Sequence, residues 1–177
     1  MVEGLSRRLG DYSAENGHKL YTVIWYSSST ERWGTTHTLE YYMHKYKPTY
    51  VIICLGSNEL FVNDLENRVQ YVREIVKKLG NTPFVWISPS DWNGDTGIND
   101  VIKENIGREH FFDSRHLKLK RGSDHYHPTW AAAAYWMDTA AQFIASHQCA
   151  NPLQLNKPKA HHKATKTKLL QPSFEGY

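Results

Sequence analysis

The chain has 177 residues and a mass of 20.5 kDa, the size of one domain rather than two. With 40% hydrophobic and 22% charged residues it can bury a core, which excludes wholesale disorder. Its mean hydropathy is −0.61, and no apolar run approaches the ~18–20 residues of a membrane-spanning helix.

The net charge of +3 divides unevenly. Residues 1–150 carry 16 Lys and Arg against 17 Asp and Glu, whereas residues 151–177 carry five Lys against Glu175. The body is nearly neutral and offers no basic face for nucleic acid. The tail, with its run NKPKAHHKATKTK, is polar and aperiodic. It reads as a disordered basic extension, leaving 1–150 as the folded domain. Cys54 and Cys149 are too few for a disulfide framework and lack zinc-type spacing. A cytosolic and an exported location are both compatible with them.

Taken in order, residues 1–16 space Val2, Leu5, Leu9 and Tyr12 three and four apart, the period of a helix with one buried face. Leu20 to Tyr26 reads as a buried strand and Ser27–Thr30 as a loop of small residues. A helix is expected from Thr36 to Tyr46, stopped by Pro48. Thr49 to Leu55 is apolar on both faces, as a central parallel strand should be. Asp64 reads as an N-cap to a helix with the stripe Leu65, Val69, Val72, Val76 and Leu79.

Pro83 to Ser88 is the next strand, Ser90–Gly97 a polar loop, and Ile98–Asn105 a short helix. His110–Phe112 is a brief last strand. Pro128 opens the final helix, which runs to Ser146, and its Ala131–Ala134 run suits a close approach to the sheet. The alternation predicts an α/β domain, three-layer α/β/α with a flavodoxin-like parallel sheet. One feature is odd: a helix comes first, with no strand before it.

Two loops carry residues suited to chemistry. Gly56-Ser57-Asn58-Glu59 follows the central strand, where ligands of open α/β sheets bind. The Asn58 amide can donate to a developing oxyanion, although on the tetrapeptide alone a plain turn with a left-handed Asn is the better reading. Asp124-His125-Tyr126-His127-Pro128-Thr129 precedes the last helix. An Asp and a His three apart can meet, the carboxylate holding one imidazole nitrogen and leaving the other as a general base. Read differently, Asp124 caps a turn, or His125 and His127 join Asp124 and His116 as metal ligands. The loop at Ser90–Gly97 adds Trp92, an aromatic able to stack on a sugar ring. The other tryptophans read as packing residues and Cys54 as a buried strand residue.

Taken together, G-x-N-[D/E] after the central strand and D-x-x-H-P before the last helix resemble the SGNH (GDSL-type) hydrolases, with matching order across residues 1–147. The resemblance implies a serine esterase acting on small acyl esters, including acetylated carbohydrate, without metal or organic cofactor. It makes Asp124 the orienting acid, His127 the base and Asn58 an oxyanion donor. The Ser27–Thr30 loop falls where the family has its oxyanion Gly, so the Ser28 N–H is the expected second donor.

Met1-Val2-Glu3-Gly4-Leu5 looks like the continuation of the family's Gly-Asp-Ser block, which puts the nucleophile one residue before Met1. The strand missing from the family's sheet would lie between those at 20–26 and 49–55. The expectation is an unstable chain, one that re-pairs its strands, or one that borrows a strand from a second copy as a homo-oligomer. The alternative function is a non-catalytic remnant that binds a carbohydrate or a partner without a nucleophile.

Overall fold

The computed structural model describes residues 2–92, 94–161 and 166–177. It is of the mixed α/β class with parallel strand pairing, as the alternation predicts. Its described residues fall into two compact units: Met1–Ile24 with Leu117–Leu170, and Trp25–His116 with Gln171–Tyr177. The expected division into a body and a disordered tail differs from this, because both units take residues from beyond 150. No helix among the described residues is long and apolar enough to cross a membrane.

The first unit pairs helix α1 (Val2–Glu15) with the last helix, α6 (Trp130–Ile144). Leu5, Leu9 and Tyr12 of α1 are buried, as are Ala133, Trp136, Met137 and Ala140 of α6. A Cβ added at Gly4 would sit 2.4 Å from the Ala133 Cβ. The small residues of α6 therefore serve a helix–helix contact, not the approach to a sheet expected for Ala131–Ala134. Arg8 ties the two helices, bonding Asp138 at 2.7 Å and its own Asp11 at 3.1 Å. Helix α6 starts two residues later than expected, since Thr129 is the N-cap and its side chain accepts from the Ala132 N–H.

Strand β1 (Tyr21–Trp25) pairs with β5 (Lys166–Leu170), drawn from the segment read as disordered. A lysine-rich strand shows no apolar alternation, and four of its five residues are exposed, so periodicity could not reveal it. Leu155 and Leu170 are buried anchors in the same segment. His161 is an exposed residue whose ring lies 3.0 Å from Asp11. His162 is outside the described residues.

The second unit holds a parallel sheet in the order β2–β3–β4: Val51–Ile53, Phe84–Ile87 and Phe111–Phe112. Val51 aligns with Phe84 and Ile53 with Trp86, while Trp86 aligns with Phe111. The central strand is thus β3, buried at all four positions. The 49–55 run, expected to be central, supplies only a short edge strand of this sheet.

Helix α4 (Leu65–Leu79) packs on α2 (Thr30–Thr35), α3 (Thr38–Tyr46) and α5 (Ile98–Ile106). The buried stripe of α4 is Arg68, Val72, Ile75 and Leu79, rotated from the expected one because a buried ion pair claims Arg68. Asp64 stands at its N-cap but makes no capping bond, pairing instead with Arg68. Helix α2 was not foreseen; Ser29 caps it by accepting from the Arg32 N–H.

Candidate functional site

Asp124 and His127 lie in a closed turn of the first unit. Arg121 bridges Pro128 in antiparallel fashion, and the Gly122 N–H donates to the His127 carbonyl at 2.8 Å. His125 takes a left-handed conformation at φ 61°, which lets the chain reverse within so few residues. The turn is exposed, yet its geometry is tight. Asp124 Oδ1 accepts from the Tyr126 and His127 N–H groups at 3.0 Å each, and Oδ2 lies 2.6 Å from His127 Nδ1.

The His127 ring bond, followed by those two backbone bonds, holds the Asp124 carboxyl well below the usual carboxylate range. An ionised carboxylate only accepts, so Nδ1 carries the ring proton and Nε2 is the basic nitrogen. Asp124 thus holds the turn through Oδ1 and the His127 ring through Oδ2.

Asp124 titrates lower in the folded chain than in the unfolded one, so its stabilising effect is present above pH ~3.9 and is lost as the pH falls through the folded value. In a carbon-detected NMR titration the Asp124 carboxyl should have its midpoint below 3.8, its ordinary value. In His127→Ala that midpoint should move up.

Asn58 and Ser28 meet in the second unit. Gly56, at φ 109°, makes the left-handed turn after β2 that leads into the single 3₁₀ turn Ser57–Glu59. The positive φ expected at Asn58 therefore belongs to Gly56. From this turn Asn58 Nδ2 donates to the Ser28 carbonyl at 2.8 Å. Ser27, just before, has φ 56°, in the left-handed region that favours glycine. The Ser28 N–H makes a long 3.3 Å bond to the Trp25 carbonyl, and its hydroxyl accepts from Trp33 Nε1 at 3.0 Å.

Glu59 was missed as more than a motif letter. It is 1% exposed, and its carboxylate accepts from the Thr30 N–H at 2.8 Å and the Thr30 hydroxyl at 2.6 Å. Arg68 lies 3.2 Å away and also meets Glu31 and Asp64. Burial pushes the Glu59 carboxyl upward, outweighing the Thr30 bonds and the Arg68 charge. An acid beside an oxyanion-type Asn was the one signal for it. Asn58 and Glu59 together clip the 56–59 turn to the Ser27–Thr30 loop.

Trp92 is half-buried, with its ring edge-on to the exposed Phe61 at 5.1 Å. Phe61 follows the Asn58 turn by three residues, so both aromatics belong to the second unit. Cys54 lies just past β2 and is half-buried, not the buried strand residue expected, and the protein packed around its thiol pushes it up to about 12. No group of three metal-ligating side chains forms among the described residues.

Each half of the expected site is thus assembled within its own unit, Asp124 with His127 in one and Asn58 with Ser28 in the other. No protein-family profile, curated protein or solved structure matches the chain.

Proposed function

We propose that the chain is a serine-type hydrolase of small acyl esters, of the SGNH kind, with an acetyl group on a carbohydrate hydroxyl as a fitting substrate. The observation that carries this reading is the 2.6 Å bond between Asp124 and His127 Nδ1. It leaves Nε2 to take the proton from a serine hydroxyl as that oxygen attacks the acyl carbon, and to return it to the leaving alcohol. Within the second unit, Asn58 Nδ2 has a second N–H and the Ser28 N–H makes only a long bond, so both are donors of the kind an oxyanion takes. The nucleophile this reading calls for is a serine in a Gly-Asp-Ser block, and no Gly-Asp-Ser occurs within residues 1–177. Water or a sugar hydroxyl as acceptor would separate hydrolysis from acyl transfer.

A non-catalytic binding domain is the second reading. It is favoured by one observation: the Asn58 amide and the Ser28 N–H both bond within the protein.

Fluorophosphonate labelling separates the two. The chain, and a version extended at its N-terminus by a strand ending in Gly-Asp-Ser, are treated and read by intact mass and peptide mapping, with p-nitrophenyl acetate hydrolysis in parallel. The hydrolase reading expects a stoichiometric adduct on the added serine together with ester turnover. A folded extended chain with neither adduct nor turnover overturns it and leaves the binding domain.

A further inference from the structure

We propose that the second unit carries a peptide-docking groove specific for a Phe-x-Gly-Tyr segment, and that residues 171–177 of the chain are its detachable ligand. The segment QPSFEGY has no helix or strand of its own. It is held as a bound peptide is held, by its backbone and by three side-chain positions.

Arg32 Nη1 donates to the Pro172 and Phe174 carbonyls at 2.8 and 3.2 Å. The His37 N–H donates to a Tyr177 oxygen at 2.7 Å, and the Tyr177 N–H donates to Thr38 Oγ1 at 3.1 Å. These bonds read the backbone around a turn closed by the Phe174 N–H on the Gln171 carbonyl at 3.0 Å, and say nothing about sequence. Specificity comes from the side chains. The Phe174 ring meets Trp25 edge-on at 5.2 Å, and Tyr177 stacks on Tyr41 at 3.9 Å. Between them Gly176 has φ +103°, and a Cβ there would lie 2.6 Å from Thr36 Cγ2 and 2.7 Å from Thr36 Cβ. Both the conformation and the space demand glycine. Ser173 and Glu175 are exposed, so they are the free letters of the motif.

The docked segment lies on one wall of an open groove, not in a sealed core. Tyr177 is 48% exposed, and a groove of about 580 Å³ continues from it along α3, past His37, Tyr41, His44 and Lys45. Ordering seven residues offsets much of what two rings and a few surface hydrogen bonds contribute, so docking is reversible.

Docking has a target inside the unit. Phe174 packs on Trp25, Trp25 meets Trp33 at 5.5 Å, and Trp33 Nε1 holds the Ser28 hydroxyl. Arg32 closes the set, its guanidinium 5.4 Å from the Trp25 ring centre. The occupied groove therefore braces the Ser27–Thr30 loop, and release of the segment loosens it. This stands whether or not the chain hydrolyses esters.

Hydrogen exchange on the full chain tests it. Gly176→Ala should raise exchange of the Trp25–Thr38 amides at least tenfold while the β3 amides stay protected. Free QPSFEGY peptide should restore protection, and QPSFEAY should not. Phe174→Ala introduces no clash and should show the same loosening. Exchange within twofold of wild type in both variants overturns the proposal, as does equal rescue by the two peptides. Global unfolding of both variants also overturns it, because the segment would then be part of the core.

Discussion

Replacing His127 with Ala is expected to lower p-nitrophenyl acetate hydrolysis by roughly 10²- to 10⁴-fold, the usual contribution of a positioned general base. The comparison is made in the form of the chain that turns over this ester, with far-UV circular dichroism as the check on folding. His127 is exposed and stands in a loop, so removing its ring opens no cavity and the fold should survive. Asp124→Asn tests the partner differently. An amide can donate to Nδ1, so the ring can then place its proton on Nε2 and lose its basic atom there.

Asp124 also accepts two backbone N–H groups, so an Asn at that position keeps an acceptor for the turn. A large activity loss, with a stability loss limited to the weaker bonds of a neutral amide, is the expected pattern for Asp124→Asn. Unchanged turnover in His127→Ala would remove this pair from the chemistry.

The second large effect is on stability and falls on Glu59. Glu59→Ala deletes the acceptor of both the Thr30 N–H and the Thr30 hydroxyl, and Thr30 is 0% exposed. Two buried donors left unsatisfied cost about 1–3 kcal/mol each, so a loss of about 2–6 kcal/mol is expected from a total stability of about 5–15. Arg68 limits the damage because Glu31 and Asp64 still face it. Urea unfolding measures the loss, and exchange of the Thr30 amide localises it.

Glu59→Gln keeps one acceptor and carries no charge to bury, so it should cost less than Ala. The sign of the pH dependence is set by burial. A carboxyl raised in the folded state supports stability fully below its ordinary value and loses that support as the pH rises through the folded one. The Glu59 contribution therefore declines as the pH rises above 4.5, opposite in direction to that of Asp124. In Glu59→Gln this decline should vanish. A Glu59→Ala chain with an unchanged urea midpoint would show that the Thr30 groups find other partners.

Helices whose burial stripe repeats every three or four residues were readable from the chain alone. α1 needs no more than Leu5, Leu9 and Tyr12, and α5 no more than Ile98, Ile102 and Ile106. The parallel strand β3 was readable for the same reason, since four consecutive apolar residues between a turn and a polar loop have few alternatives. The Asp124–His127 contact was also legible, because both residues sit in one turn and their distance is a local property. Glu59 with Thr30 was not, since 29 residues separate them and neither carries a pattern. Arg68 reads as a surface residue until the carboxylates around it are known.

The α/β class, the order of most elements and the local Asp-x-x-His geometry follow from the residues alone, because periodicity and short spacing act within a few residues. That β1 pairs with a lysine-rich strand some 140 residues away, and that β3 rather than β2 is central in its sheet, came from long-range packing. The same packing decided that Ala133 faces Gly4 and that Phe174 and Tyr177 lie against Trp25 and Tyr41. Strand pairing is made by backbone groups that every residue carries, and ring packing by side chains that suit many surfaces. Neither marks its partner in the chain, so the choice falls to whichever distant segment completes the hydrogen bonds and the buried contacts.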